Sequence, residues 1–142
     1  TDRPNSKSRK ETEGLAALIA AYVRHLRAER RASPYTVRNY EAALRGFEAF
    51  ARAHFGKEPA RRDLERIELA DFRGFLARRR AEGLGAASLK VELSALKGFF
   101  RYLERREGVA NDAGATLGQT LVVVGEPDVS VWPTTLMDAM LH

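Results

Sequence analysis

Apolar residues recur at steps of three and four through most of the first 107 positions, and each run is bracketed by residues that start or stop helices. Leu15, Leu18, Ile19, Tyr22, Val23 and Leu26 share one face, which predicts a first helix ending near Arg30. Residues 1–12 read as a flexible basic arm, in which either Ser8, with Glu11 reaching back, or Thr12 caps that helix. Ser33 and Pro34 form a second start signal, because serine caps an N-terminus and proline fits the first turn, where its missing N–H is not needed. The helix that follows carries Val37, Tyr40, Leu44, Phe47 and Ala51 on one face, and Gly56 and Pro59 end it.

Leu64 and Ile67 predict a short anchored turn, after which Leu69, Phe72, Phe75 and Leu76 point inward from a third helix stopped by Gly83. A fourth helix, about 86–107, buries Leu89, Leu93, Leu96, Phe100 and Leu103 and ends at Gly108. Four helices on short loops predict an all-α four-helix bundle over residues 13–110. Residues 111–142 are a C-terminal extension of different material. Segments 121–124 and 129–132 have strand composition about a turn at 125–128, suggesting a short hairpin, and 136–141 suggests a terminal helix.

Composition narrows the chemistry. With no cysteine, disulfides and thiolate-bound zinc are excluded. No apolar run approaches the roughly 20 residues of a membrane span, and the first ten residues offer no secretory signal. The expectation is a soluble, cytoplasmic protein with no membrane partner. Its net charge of +5 is unevenly placed. Residues 1–110 hold all 24 Lys and Arg and 15 of the 19 acids, a net +9, and residues 111–142 are net −4. Such a basic domain fits a polyanion, whose condensed counterions are released when its phosphates are neutralised.

The helix faces sharpen this reading. At 100° per residue, Lys90, Ser94, Lys97, Arg101 and Arg105 fall within about 80° of one another, a stripe that is either a solvated surface or a nucleic-acid contact. Ser88, near the helix start, is placed to donate to a phosphate beside free backbone N–H groups. On the second helix Arg38, Glu41, Arg45, Glu48 and Arg52 alternate in sign at helical spacing and are expected to satisfy one another. The neighbouring sector holds Tyr35, Asn39, Ala42 and Gly46, with Thr36 on its flank. Thr36 and Asn39 either bond locally to the backbone or contact DNA, where asparagine pairs with adenine or a phosphate. Arg78, Arg79 and Arg80, like Arg61 and Arg62, serve stability or DNA attraction equally well.

Catalytic constellations are scarce. His25, His54 and His142 show no ligand spacing, and no phosphate-cradling GxxxxGK[ST] occurs. Tyr22, Tyr40 and Tyr102 fall on or beside apolar faces, where a packing role is expected. No catalytic residue, metal ligand, cofactor or small-molecule substrate is expected.

The order of elements resembles the N-terminal core-binding domain of tyrosine site-specific recombinases, in the Xer and phage-integrase branch. The resemblance runs over about residues 13–110. It rests on Tyr22-Val23-Arg24-His25-Leu26, on Ser33-Pro34-Tyr35-Thr36-Val37-Arg38-Asn39-Tyr40, on Asp71-Phe72-Arg73-Gly74-Phe75-Leu76 and on Gly83-Leu84-Gly85-Ala86-Ala87-Ser88-Leu89. The last piece is Leu93-Ser94-Ala95-Leu96-Lys97-Gly98-Phe99-Phe100-Arg101-Tyr102-Leu103. The resemblance implies a SAM-like bundle whose second and fourth helices face double-stranded DNA, in a protein that recombines or integrates DNA alongside other recombinase subunits. Carried onto matching positions, it implies contacts from Thr36, Asn39, Ser88, Lys90, Ser94 and Lys97; the helical wheel adds Tyr35, Arg101 and Arg105. The family's catalytic arginines and lysine have no counterpart here, since no basic residue follows Arg106. The chain as given is therefore expected to bind DNA without being an enzyme. The alternative is a helical protein-interaction module or a regulatory recombinase-like fragment.

Overall fold

A computed structural model of the chain describes residues 14–117. Six α-helices follow one another: α1 (Leu15–Ala28), α2 (Pro34–Phe55), the short α3 (Arg61–Glu65), α4 (Leu69–Ala81), α5 (Ala86–Tyr102) and the single turn α6 (Asp112–Ala115). A π-helical turn, Leu103–Glu107, continues α5. No strand occurs among the described residues, so the architecture is the expected all-α bundle. The hairpin and terminal helix expected beyond residue 120, and the capping residues Ser8 and Thr12, lie outside the described residues.

Local chemistry sets most boundaries. Ser33 Oγ accepts the Thr36 N–H at 3.1 Å and Pro34 opens α2, while Gly56 closes it at φ 73°. The start of α1 is built differently. Its N-cap is Gly14, which supplies no side chain, and the exposed first turn is met from a distant loop. Glu58 Oε2 accepts the Ala16 N–H at 2.7 Å and Pro59 O accepts the Leu15 N–H at 3.0 Å. A carboxylate at a helix N-terminus also answers the positive end of the helix dipole. Burial pushes the Glu58 carboxyl up, but the Ala16 N–H and Arg52 together hold it below the usual range.

The core is aromatic at its centre. Phe47 of α2 stacks on Phe72 of α4 at 5.8 Å between ring centroids and meets Phe75 and Phe100 edge-on at 5.3 and 6.1 Å. Phe72 and Phe100 pack edge to face at 5.3 Å. Such pairs contribute about 0.5–1.5 kcal/mol beyond the area they bury. The leucines of α1 and α5 close the core from the other side. Packing continues past the fourth long helix: Asn111, Ala115 and Leu117 are buried against the bundle. There the Asn111 amide donates to Leu64 O and Ile67 O at 2.7 and 2.9 Å, and its Oδ1 caps α6 by accepting the Gly114 N–H at 3.0 Å.

Candidate nucleic-acid interface

Along the outer side of α5, Ala87, Val91, Ser94, Gly98, Arg101 and Arg105 succeed one another at steps of four and three, a continuous ridge about 25 Å long at the helical rise. Two grooves flank this ridge end to end. The first lies between α2 and the start of α5 and is lined by Tyr35, Asn39 and Ala42 on one side and Ala87, Ser88 and Val91 on the other. A larger one follows between α1, α2 and the end of α5, where Ser94, Lys97, Arg101 and Arg105 face Arg30, Tyr40 and the aromatic pair Tyr22 and His25.

The sequence-derived candidates thus divide. Tyr35, Asn39 and Ser88 meet in the first groove, and Ser94, Lys97, Arg101 and Arg105 in the second. Lys90 is exposed on the flank of α5 and Thr36 sits beside the first turn of α2; neither lines a groove. For the two polar residues of α2 the open alternatives now separate. Thr36 bonds locally, its hydroxyl accepting from Ser33 Oγ at 3.1 Å. The Asn39 amide makes no hydrogen bond with any described residue and stands half-buried in the groove wall. Tyr35 is 68% exposed, with the Arg38 guanidinium 5.9 Å from its ring centre. That contact places a cation over an aromatic face at the groove's mouth.

Electrostatics distinguishes the grooves. The first contains no cation, and its acid, Glu92, is held in a two-pronged pair by Arg79 at 3.1 and 3.2 Å. In the second, Arg30, Lys97 and Arg105 make no ion pair with a described residue. The acid there, Glu29, is gripped by Arg106 at 2.7 and 3.3 Å, and that hydrogen bond holds its carboxyl below the usual range. Burial, with Tyr40 nearby and against Arg30, pushes the Tyr22 hydroxyl up to about 12; burial likewise raises Tyr102. Burial thus favours the neutral form of both phenols.

Arg101 has a part the helical wheel does not show. Its Nε donates to Ala115 O at 2.9 Å, tying the end of α6 to the groove wall. Four of the five alternating charges of α2 pair as expected: Arg45 with Glu41 and Glu48 at 3.6 and 3.4 Å, and Arg52 with Glu48 at 3.7 Å; Arg38 instead lies over the Tyr35 ring. The arginine triplet ending α4 is structural. Arg78 pairs with Glu82, Arg79 bridges Glu82 and Glu92, and Arg80 donates to Leu84 O. Arg61 is likewise engaged, with Glu107. Arg30 and Arg106 were not singled out by periodicity, since one lies just past α1 and the other within the π turn. No group of acids and histidines able to hold a metal ion occurs among the described residues, nor any helix long and apolar enough to cross a membrane.

Comparison with known proteins agrees with this architecture. The phage integrase N-terminal SAM-like domain matches residues 19–107. Among curated relatives, Tyrosine recombinase XerC of Mesorhizobium japonicum is 39% identical over 125 residues, which is 88% of this chain and 39% of that protein. The Rhodospirillum centenum protein of the same name is 40% identical over 102 residues, covering 72% of this chain and 30% of that protein. That of Rhizobium meliloti is 47% identical over 90 residues, 63% and 28% respectively. The chain thus spans well under half the length of these relatives. No solved structure matches it. With the family model covering the bundle from α1 to the π turn, the chain belongs to the phage integrase N-terminal SAM-like domain family.

Proposed function

We propose that this bundle binds duplex DNA through α2 and α5, as the DNA-holding module of a tyrosine recombinase. The observation that carries the reading is the α5 ridge with its cation-lined groove: Lys97 and Arg105 from α5 converge with Arg30 from the end of α1, and none has an acidic partner among the described residues. Ser94, short and exposed, keeps the ridge between them low, while Gly98 gives its place to the Tyr22 hydroxyl. At the other end, α5 opens on Gly85 without a side-chain cap, leaving its first N–H groups beside Ser88 and near exposed Lys90. Donors and cations at a long helix's start suit phosphate.

In this reading Lys97, Arg105, Arg30 and Lys90 supply charge. Ser88 and Ser94 supply hydroxyl donors, and Tyr35 and Asn39 stand where base edges pass. Arg101 presents its remaining N–H groups while its Nε keeps α6 seated. Thr36 contributes by fixing the start of α2. Such contacts orient a duplex and do not break it. The transesterification of a tyrosine recombinase needs arginines and a lysine with no counterpart after Arg106, so strand exchange belongs to another part of the protein or assembly.

The test is fluorescence anisotropy of the chain with a labelled 20-base-pair duplex across a salt series. Affinity should fall linearly on a log–log plot, with a slope of about −0.9 per phosphate neutralised. Replacing Arg30, Lys97 and Arg105 together by glutamine should lower the slope by two to three, with the thermal melt unchanged. Absence of binding at low salt overturns the reading and favours a protein-interaction bundle.

A further inference from the structure

The two grooves along α5 differ in chemistry, and a duplex-reading surface has two tasks: backbone contacts set position, and base-edge contacts set sequence. The groove between α1, α2 and the end of α5 is built for the first, with several cations and hydroxyls. The groove between α2 and the start of α5 has no cation in its lining, and Arg38 stands only at its mouth, over Tyr35. Its walls are the methyl groups of Ala42 and Ala87 and the side chain of Val91, and its hydrogen-bonding equipment is the Asn39 amide, with the Ser88 and Tyr35 hydroxyls at the edge. Neither the Asn39 nor the Ser88 side chain makes a hydrogen bond with a described residue.

Resting on the duplex-binding reading above, we infer that this first groove is the sequence-reading site and that it selects an A·T base pair. An asparagine amide held on a helix presents one donor and one acceptor side by side. In the major groove adenine answers with its N6 donor and N7 acceptor, whereas guanine offers two acceptors and cytosine a lone donor. The thymine paired to that adenine projects a C5-methyl group, and apolar contact with alanine is how that methyl is recognised. Ala42 lies one residue short of a full turn beyond Asn39, on the same side of α2, and Ala87 faces it from α5. Amide and methyl pocket therefore stand a few ångströms apart, as an adenine edge and its partner's methyl do.

The wall's one acid does not oppose this. Glu92 is 6% exposed and both its oxygens are taken by Arg79, so the groove presents no free carboxylate to a phosphate-rich partner. Nor do the described contacts need Asn39: its side chain has no hydrogen-bond partner among the described residues, and alanine is the better helix former at such a position.

The experiment compares alternating dA–dT and dG–dC 20-mers by anisotropy at one moderate salt concentration, for the intact chain and for Asn39→Ala. A third duplex carries 7-deazaadenine in place of adenine, removing N7 without altering charge, and a fourth carries uracil for thymine, removing the methyl. The expected result is a roughly tenfold preference for dA–dT, in line with the discrimination of a bidentate contact. Either 7-deazaadenine or Asn39→Ala should abolish most of that preference, and uracil should reduce it. Asn39→Ala should keep the salt slope of the intact chain, since it removes no charge. Equal, salt-sensitive affinity for all four duplexes overturns the inference and leaves the duplex-binding reading intact. A dA–dT preference that survives Asn39→Ala also overturns it, because the sequence is then read elsewhere. No binding to any duplex sinks both.

Discussion

Asn111 is the side chain whose truncation should cost the most per atom removed. It is 5% exposed and uses both ends of its amide, donating to Leu64 O and Ile67 O and accepting from the Gly114 N–H. Asn111→Ala removes the cap of α6, about 1 kcal/mol, and strips partners from two carbonyls in a buried setting, at roughly 1 kcal/mol each at the low end of the range for unmet buried groups. The total, about 3 kcal/mol, corresponds to a melting point lowered by about 10 °C for a chain of this size. Urea denaturation followed by circular dichroism at 222 nm measures it. Asn111→Asp refines the test. Its carboxylate still accepts from Gly114 but turns an acceptor toward two carbonyl oxygens, so it should be at least as damaging at neutral pH. Relative to the intact chain it should recover in acid, where a protonated carboxyl donates again. A loss under 1 kcal/mol for Asn111→Ala would falsify the claim that this amide holds the end of the bundle together.

Three further outcomes follow from specific contacts. A Cβ at Gly98 would collide with the Tyr22 hydroxyl oxygen, so Gly98→Ala should destabilise by about 1–3 kcal/mol through overpacking; in a Tyr22→Phe background the same change should be neutral or stabilising, and equal costs in both backgrounds would refute the clash. The folded-state ionisation of Tyr22 is raised to about 12 from its ordinary value of 10.0, so its stabilising contribution is complete below pH 10 and lost as pH rises toward 12; Tyr22→Phe should flatten that alkaline limb in melts at stepped pH. Arg31 holds φ 51°, the left-handed region that glycine occupies at Gly56, Gly83 and Gly108. Arg31→Gly should therefore raise stability by roughly 0.5–1 kcal/mol while weakening duplex binding in a salt-dependent way, and a variant weaker in both respects would show that the arginine is there for the fold.

What was legible in the sequence is what local chemistry decides. Ser33-Pro34 at the start of α2 and the glycines ending α2, α4 and the π turn are read from one or two residues, because capping and positive φ act over a single turn. The core followed from period 3.6, down to Phe47, Phe72, Phe75 and Phe100. Contacts that link distant positions were not legible. The cap of α1 comes from Glu58, 42 positions away, and Arg106 reaches Glu29 across 77. Arg101 shows the limit of the helical wheel: the wheel places it on the right face but is blind to the Ala115 carbonyl that takes its Nε. The π turn adds a geometric reason, since an angle of 100° per residue no longer holds across 103–107, where Arg105 and Arg106 are placed. Thr36 and Asn39 looked equivalent as short polar residues on one turn, and the position of the cap is what separates them.

Charge pairing within the bundle explains how a modest net charge becomes a directed field. Glu48 and Glu58 share Arg52, Asp63 takes Lys57 at 2.8 Å, Glu92 takes Arg79, Glu107 takes Arg61 and Glu29 takes Arg106. Of the cations left without an acid among the described residues, Arg24, Arg27, Arg30 and Arg31 crowd the end of α1 and Lys90, Lys97 and Arg105 follow α5 and its π turn, while Arg38 on α2 and Arg62 and Arg66 at α3 stand apart. Pairing most of the acids leaves the end of α1 and the length of α5 predominantly positive, and such a surface attracts a polyanion more strongly than the formal charge suggests. The two sets of charges should respond differently to salt. Ion pairs as exposed as Arg106–Glu29 are screened by solvent and contribute little to stability, so the melting point should move little between 50 and 200 mM salt. Duplex affinity, carried by the unpaired set, should fall by about one to two orders of magnitude over the same interval if three or four phosphates are neutralised. Parallel melts and anisotropy titrations measure both responses in one buffer series. A melting point that dropped in step with affinity would mean that the paired charges, not the unpaired ridge, govern the salt response, and the sorting of charge argued from these contacts would be wrong.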